Sequence, residues 1–216
     1  MSRTQCETRE GLRFFGRISA SVSHEIKNVF AVINEAAGLI EDLTLMAGRG
    51  MPLQPERLKS AANSIQGQVK RGDAIVRNMN AFAHSTDEDV REVNLIEALK
   101  LAVDLTSRFA DMRRIKLTVG ESESVSMAAC PFDLTRLLHS SMAAAFDSMQ
   151  PGDTLVITVS PADGGASFSL SVPGKDAPLK NDEPFADLAR AMGARVETDE
   201  KTGISRLLLA AEGAPA

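Results

Sequence analysis

The most constraining feature of this sequence is a long helical period near its N terminus. From about Thr8 to Met46 the chain contains no proline, and glycine occurs only at positions 11, 16 and 38. Apolar side chains recur there in steps of three or four, at Phe15, Ile18, Val22, Ile26, Val29, Ile33, Ala37 and Ile40. This spacing predicts one long amphipathic helix whose apolar stripe approaches a heptad repeat.

A second helix of the same kind follows a short turn. The segment AGRGMPLQP interrupts the first pattern with Gly and Pro, and Pro55 followed by Glu56 is typical of a first helical turn. The second stripe runs through Leu58, Ala62, Ile65, Val69, Gly72, Val76, Met79 and Ala83. Two such helices predict an antiparallel hairpin, and because two helices cannot bury both stripes, we predict a four-helix bundle formed by a two-fold homodimer.

The rest of the chain predicts an α+β domain. After the polar segment HSTDEDVRE, helical and alternating patterns follow each other, and Asp163-Gly164-Gly165 marks a hairpin turn. The predicted helices cover 94–109, 134–149 and 185–192, and the predicted strands 115–119, 155–160, 167–172, 195–198 and 204–209. We therefore predict a helical hairpin domain over 1–86, an α+β domain with helices on one face of a sheet over 87–212, and a tail over 213–216.

Composition excludes several classes of protein. Hydrophobic residues make up 44% and charged residues 25% of the chain, which is typical of a globular protein rather than a disordered one. No apolar stretch is long enough to span a bilayer and the N terminus lacks the core of a signal peptide, so we expect a cytoplasmic protein without membrane contact. A net charge of −5 gives no basic surface for nucleic acid. Cys6 and Cys130 are far apart, and we expect reduced thiols rather than a disulfide or a zinc site.

One short segment, Ser23 to Asn28 (SHEIKN), carries most of the candidate chemistry. His24 falls roughly opposite the apolar stripe of the first helix, so its imidazole is predicted to face solvent, where it can act as a nucleophile. Glu25 can accept a proton from the other ring nitrogen or fix the tautomer, and Asn28, at i+4, shares the face of His24 and can bind a phosphoryl oxygen or a water.

Other residues of this helix are predicted to contact a partner. Arg17 and Lys27 flank His24 and can offset phosphate charge, and Ser21 is placed with them as a partner-binding residue. Spacing alone leaves the ordinary alternative open, since a surface histidine on a helix usually has no special role. A zinc site of the HExxH type is excluded because position 28 is Asn.

The segment resembles the phosphoacceptor box of sensor histidine kinases, S-H-E-[IL]-[KR]-N-P, which lies in the first helix of a two-helix hairpin. Val29 stands where that family has proline. The resemblance extends over most of the chain, because the family continues with an ATP-binding domain of the same element order. It implies a reduced histidine-kinase-type ATPase-like α/β sandwich after the dimeric bundle.

The second domain departs from the family at its nucleotide site. The family's helix carrying two asparagines aligns with 134–149, where those positions are Ser140 and Ala144, and the second normally helps to hold the magnesium of ATP. An alanine offers no oxygen to a hard cation. The D-x-G-x-G loop expected after Val172 reads PGKDAP here, and the later glycine-rich lid is missing. The resemblance therefore implies a degenerate domain with no cofactor of its own.

Together these features resemble the dimeric histidine phosphotransferases, in which a histidine relays a phosphoryl group between the aspartates of receiver domains. The resemblance implies response-regulator receiver domains as partners, His24, Glu25 and Asn28 as the catalytic residues, and Mg²⁺ held by the receiver. Two alternatives stay open: a phosphatase in which Asn28 orients a water against the receiver's aspartyl phosphate, and a non-catalytic pseudokinase that binds a regulator. An active ATP-dependent kinase is the reading that the sequence favours least.

Overall fold

The computed structural model describes residues 3–179 and 183–210, and the chain forms five helices and seven strands within them. The elements are α1 (Arg3–Gly48), α2 (Pro55–His84), β1 (Arg91–Asn94), α3 (Leu95–Met112), β2 (Lys116–Val119), β3 (Ser126–Ala129), α4 (Pro131–Phe146), β4 (Thr154–Ala162), β5 (Gly165–Ser171), α5 (Glu183–Ala191), β6 (Ala194–Asp199) and β7 (Ile204–Ala210). Among these helices, none has an apolar stretch of the length and hydropathy that crossing a bilayer requires.

Two compact units divide the chain between Asn80 and Ala81. The division lies inside α2, whose last turn belongs to the second unit: Phe82 is fully buried and its ring stacks on Phe132 at 5.8 Å between centroids. The sequence predicted a boundary at 86, after the end of the helix. The predicted end of the α+β domain at 212 and the tail over 213–216 lie outside the described residues.

The first unit is a helical hairpin whose first helix buries one row of side chains. That row follows a heptad-like spacing through Phe14, Ile18, Ser21, Val29, Ala36 and Leu43. At its middle α1 and α2 meet closely, since a Cβ built on Gly72 of α2 would stand 3.3 Å from Val29 Cγ1. Nearby, Glu25 of α1 lies 3.9 Å from Arg71 of α2.

The buried row is shifted from the stripe that the sequence predicted. Ile18 and Val29 belong to both, but Val22 and Ile26 are only half-buried. Other apolar side chains of the hairpin are exposed over much of their surface, Phe30 by 64%, Val69 by 56% and Val76 by 48%. The predicted and observed rows differ because the apolar surface is wider than one neighbouring helix can cover. The hairpin therefore buries only one edge of that surface.

The second unit contains a five-stranded mixed sheet in the order β2-β4-β5-β7-β6. β2 pairs parallel to β4, and the other pairs are antiparallel. In β4, buried Leu155, Ile157 and Val159 alternate with half-buried residues, as expected for a strand with one covered face. The core of the second unit is formed by the sheet with α3, α4 and α5, through Leu99, Leu137, Met142, Leu155, Ile157, Phe168, Phe185 and Leu207. The α+β architecture predicted from the sequence is therefore present.

A second, two-stranded sheet was not predicted. β1 and β3 pair antiparallel, Val93 opposite Met127. Each has only four residues, so neither gives a recognisable alternation in the sequence. β1 leads directly into α3, because the Asn94 side chain accepts hydrogen bonds from the backbone N–H groups of Ile96 and Glu97 and so caps the helix.

Candidate functional site

His24 lies near the middle of the 46-residue helix α1, and its side chain is exposed. Several turns of helix on either side hold its backbone, so the ring is presented from a rigid element rather than from a loop. The imidazole is therefore accessible to a partner, as the sequence predicted from the helical wheel.

The polar neighbours predicted for His24 share its exposure. Asn28 follows at i+4 and Lys27 at i+3, while Arg17 precedes it by seven residues, and all three are exposed. These spacings place them on one side of α1. The structure thus brings a possible nucleophile, an amide and two cations to one accessible surface, which we call the His24 face (Arg17, His24, Lys27 and Asn28).

Ser21 does not belong to the His24 face. Its side chain is 6% exposed, and its Oγ has no hydrogen-bond partner among the described residues. The sequence grouped it with the partner-binding residues, but the structure places it in the buried row of α1. A partner that reached His24 on this rigid helix would not touch the Ser21 hydroxyl.

Glu25 is turned toward the second helix of the hairpin. Its side chain is 15% exposed, and its Oε2 lies 3.9 Å from a guanidinium nitrogen of Arg71, which is 54% exposed. No sequence pattern indicated Arg71, because the SHEIKN segment lies in the first helix only. The signal that could have found it is its position next to Gly72, on the flank of the second apolar stripe.

In the second unit, the segment after β5, where the resemblance implied a nucleotide-binding loop, is held by hydrogen bonds. The Ser148 hydroxyl, just after α4, donates to the Pro178 carbonyl at 2.7 Å. The Leu179 N–H donates to Ser205 Oγ at 3.0 Å, and the Thr198 hydroxyl donates to the Leu179 carbonyl at 3.4 Å. Leu179 itself is 2% exposed and belongs to the core. The loop is therefore anchored to α4, β6 and β7.

The other end of this loop, which we call the 173–179 loop, is anchored as well. Lys175 Nζ donates to Asp153 Oδ2 at 2.7 Å, and this bond, with a second from the Gln150 N–H, holds the pKa of the Asp153 carboxyl below its ordinary value. Gly203, with φ of 67°, lies against the Lys175 carbonyl, which a Cβ at that position would approach to 2.4 Å. No sequence pattern indicated Leu179 or Gly203 as residues that fix the loop.

The residues that would have to hold ATP and magnesium do not fit that role. Ala144 of α4 is half-buried and has no ligand atom, and Ser140 stands at the other position where the family has asparagine. Among the described residues, no three His, Cys, Asp or Glu side chains are grouped so as to hold a metal ion. The loop expected to surround the phosphates is instead packed into the core through Leu179.

Comparison with known proteins gave structural neighbours only. No family model matches the sequence, and no curated protein does. Among solved structures, the histidine kinase AdeS of Acinetobacter baumannii is 10% identical with a TM-score of 0.43, covering 80% of this chain and 92% of that one.

Two further solved structures are also similar to this chain. The cytoplasmic segment of the histidine kinase QseC is 18% identical with a TM-score of 0.42, covering 67% of this chain and 95% of that one. A bacterial phosphotransferase is 14% identical with a TM-score of 0.47, covering 89% and 94%. Each of these three structures is similar to this chain in fold alone, at low sequence identity.

Proposed function

We propose that this protein is a histidine phosphotransferase that relays a phosphoryl group between His24 and receiver-domain aspartates, without binding ATP. The observation that carries the proposal is the exposed imidazole of His24 in the middle of a rigid helix, within the segment SHEIKN. Phosphoryl transfer requires mainly positioning and charge stabilisation, which a presented imidazole and a metal-bearing receiver can supply between them. The partners in this proposal are response-regulator receiver domains, which contribute Mg²⁺.

The His24 face suits this chemistry. Arg17 and Lys27 provide positive charge for a phosphoryl group, and Asn28 provides an amide donor one turn after the histidine. Glu25, beside His24 in the sequence and mostly buried, is the group that can fix the ring tautomer. Arg17 and Lys27 are proposed as partner contacts, and Ser21 is not, because it is buried.

The anchoring of the 173–179 loop by hydrogen bonds supports the proposal that ATP is not bound. Opening it would break three hydrogen bonds made by Pro178 and Leu179 and expose the Leu179 side chain. Calorimetry with Mg-ATP checks this directly: no heat of binding is expected, and a saturable signal would instead favour an active kinase.

We propose in addition that the hairpin dimerises into a four-helix bundle. Phe30, Val69 and Val76 remain exposed on a single hairpin, and a second copy would cover such an apolar surface. Light scattering on the full chain is expected to give twice the monomer mass. A monomer at micromolar concentration would contradict this part of the proposal.

The central experiment is a transfer assay. Receiver domains are loaded with a small phosphodonor and Mg²⁺, mixed with the protein, and the protein is analysed for an acid-labile, base-stable phosphate. His24→Gln is expected to abolish labelling. His84→Gln is the matched control, since His84 is also an exposed helical histidine but lies at the end of α2. Equal labelling of both variants, or labelling of neither variant nor wild type, would contradict the proposal.

A phosphatase is the second candidate, favoured by the exposure of Asn28 on the same face as His24. In that case Asn28 orients a water toward the receiver's aspartyl phosphate. Asn28→Ala would then slow loss of phosphate from the receiver, and His24→Gln would retain part of the activity. Phosphate found on the protein itself would favour the relay.

A further inference from the structure

The buried row of α1 is interrupted by polar groups at the level of His24. Above and below that level the row is apolar, with Phe14, Ile18, Val29, Ala36 and Leu43. Between Ile18 and Val29 it contains Ser21 and Glu25, which lie one turn apart on the same side of the helix. We call these two residues, with Arg71 of α2, the polar layer.

This polar layer is an unfavourable way to stabilise a hairpin. The Ser21 hydroxyl is buried without a hydrogen-bond partner among the described residues, and a buried, unsatisfied hydroxyl costs free energy. A mostly buried carboxylate also costs desolvation. Apolar residues at these positions would pack the two helices better, so the layer requires an explanation other than stability.

We propose that Arg71 is a positioning residue for the phosphoacceptor histidine, acting through Glu25; this inference rests on the proposed function. The guanidinium lies 3.9 Å from the Glu25 carboxylate and belongs to the other helix of the hairpin. It keeps this carboxylate against α2. It also offsets a negative charge that would otherwise repel the incoming phosphoryl group.

The charges balance in the transfer step. A ring nitrogen of His24 uses its lone pair to form the N–P bond, while the acyl P–O bond to the receiver's aspartate breaks and its electron pair returns to the carboxylate. The N–H on the other ring nitrogen then carries positive charge. The carboxylate of Glu25, the next residue along the helix, stabilises this charge electrostatically, and Arg71 fixes where that carboxylate lies.

A double-mutant cycle tests this role. Arg71→Met is made in the wild-type chain and in Glu25→Gln, and transfer from a phosphorylated receiver is measured at saturating and at limiting receiver. We expect Arg71→Met alone to lower the maximal rate about tenfold, with little change in the KM for the receiver. This loss lies between the effects of removing an exposed ion pair and a buried one. In the Glu25→Gln chain the same substitution is expected to change the rate less than about twofold.

Two controls separate this role from a structural one. Arg71→Lys keeps the charge and is expected to restore most of the rate. Arg57→Met removes another exposed arginine of α2, which contacts Gln54 near the start of the helix, and is expected to transfer like wild type. An equal loss from Arg71→Met in both backgrounds, or no loss in either, would overturn the inference while the relay stands. A wild-type chain that accepts no phosphoryl group would overturn both.

Discussion

Substitution of Gly203 by alanine tests whether the 173–179 loop is fixed by close packing. Gly203 lies in the turn between β6 and β7, immediately before β7, and has a φ of 67°. Its N–H donates to the Asp199 carbonyl at 2.9 Å. A Cβ there would stand 2.4 Å from the Lys175 carbonyl oxygen. That oxygen is backbone and cannot rotate away, so either the loop or the β6–β7 turn has to move.

The expected cost has two parts. Alanine with a positive φ costs about 1 kcal/mol more than glycine. The overlap with the Lys175 carbonyl adds a strain of about 1 to 3 kcal/mol, as overpacking does elsewhere. The sum, about 2 to 4 kcal/mol, is a large fraction of the stability of an ordinary domain.

A matched glycine isolates the second part. Gly174, in the same loop, has a φ of 75°, but a Cβ there would meet nothing within 4 Å. Gly174→Ala is therefore expected to cost only the conformational part. Urea unfolding of both variants gives the difference, and equal losses of unfolding free energy would show that Gly203 and Lys175 are not in tight contact.

Three further predictions concern stability. Ser21→Ala is expected to raise the free energy of unfolding by about 1 kcal/mol in urea titrations, because it removes a buried hydroxyl without a hydrogen-bond partner among the described residues; a loss of stability would contradict its placement. Lys175→Met removes the partner that lowers the folded pKa of Asp153, and it is expected to destabilise the protein at pH 7 but not in acid. A carboxyl whose folded pKa is lowered contributes stability above its unfolded pKa, and this contribution is lost as the pH falls through the folded pKa. A difference between variant and wild type that persists at pH 2 would refute the pairing. Thr106→Val is expected to cost about 1 to 3 kcal/mol in thermal unfolding, because it deletes the hydroxyl 2.9 Å from Nδ1 of buried His139, and an unchanged melting temperature would contradict that bond.

The sequence predicted the elements whose pattern is long and regular. Both long helices, and the α3 and α4 helices of the second unit, follow from helical patterns in the sequence. The exposure of His24 followed from the helical wheel alone. Such features depend on residues that are close together in the sequence, so the sequence alone is enough to predict them.

Features that depend on a second element could not be predicted. Ser21 is buried although we predicted it as a partner contact, because the position of α2 decides which edge of the apolar surface is covered. Arg71 joins Glu25 only once the two helices are in register. Leu179 is fixed by hydroxyls of Thr198 and Ser205, which lie well beyond the reach of any local pattern.

The last turn of α2 has a practical consequence for cutting the chain into fragments. A fragment that starts after His84 removes Phe82 from its stacking partner Phe132 and leaves an aromatic surface of the sheet-containing unit uncovered. Fragments of that unit should therefore begin at Ala81 or earlier, because the last helical turn of α2 is part of its fold.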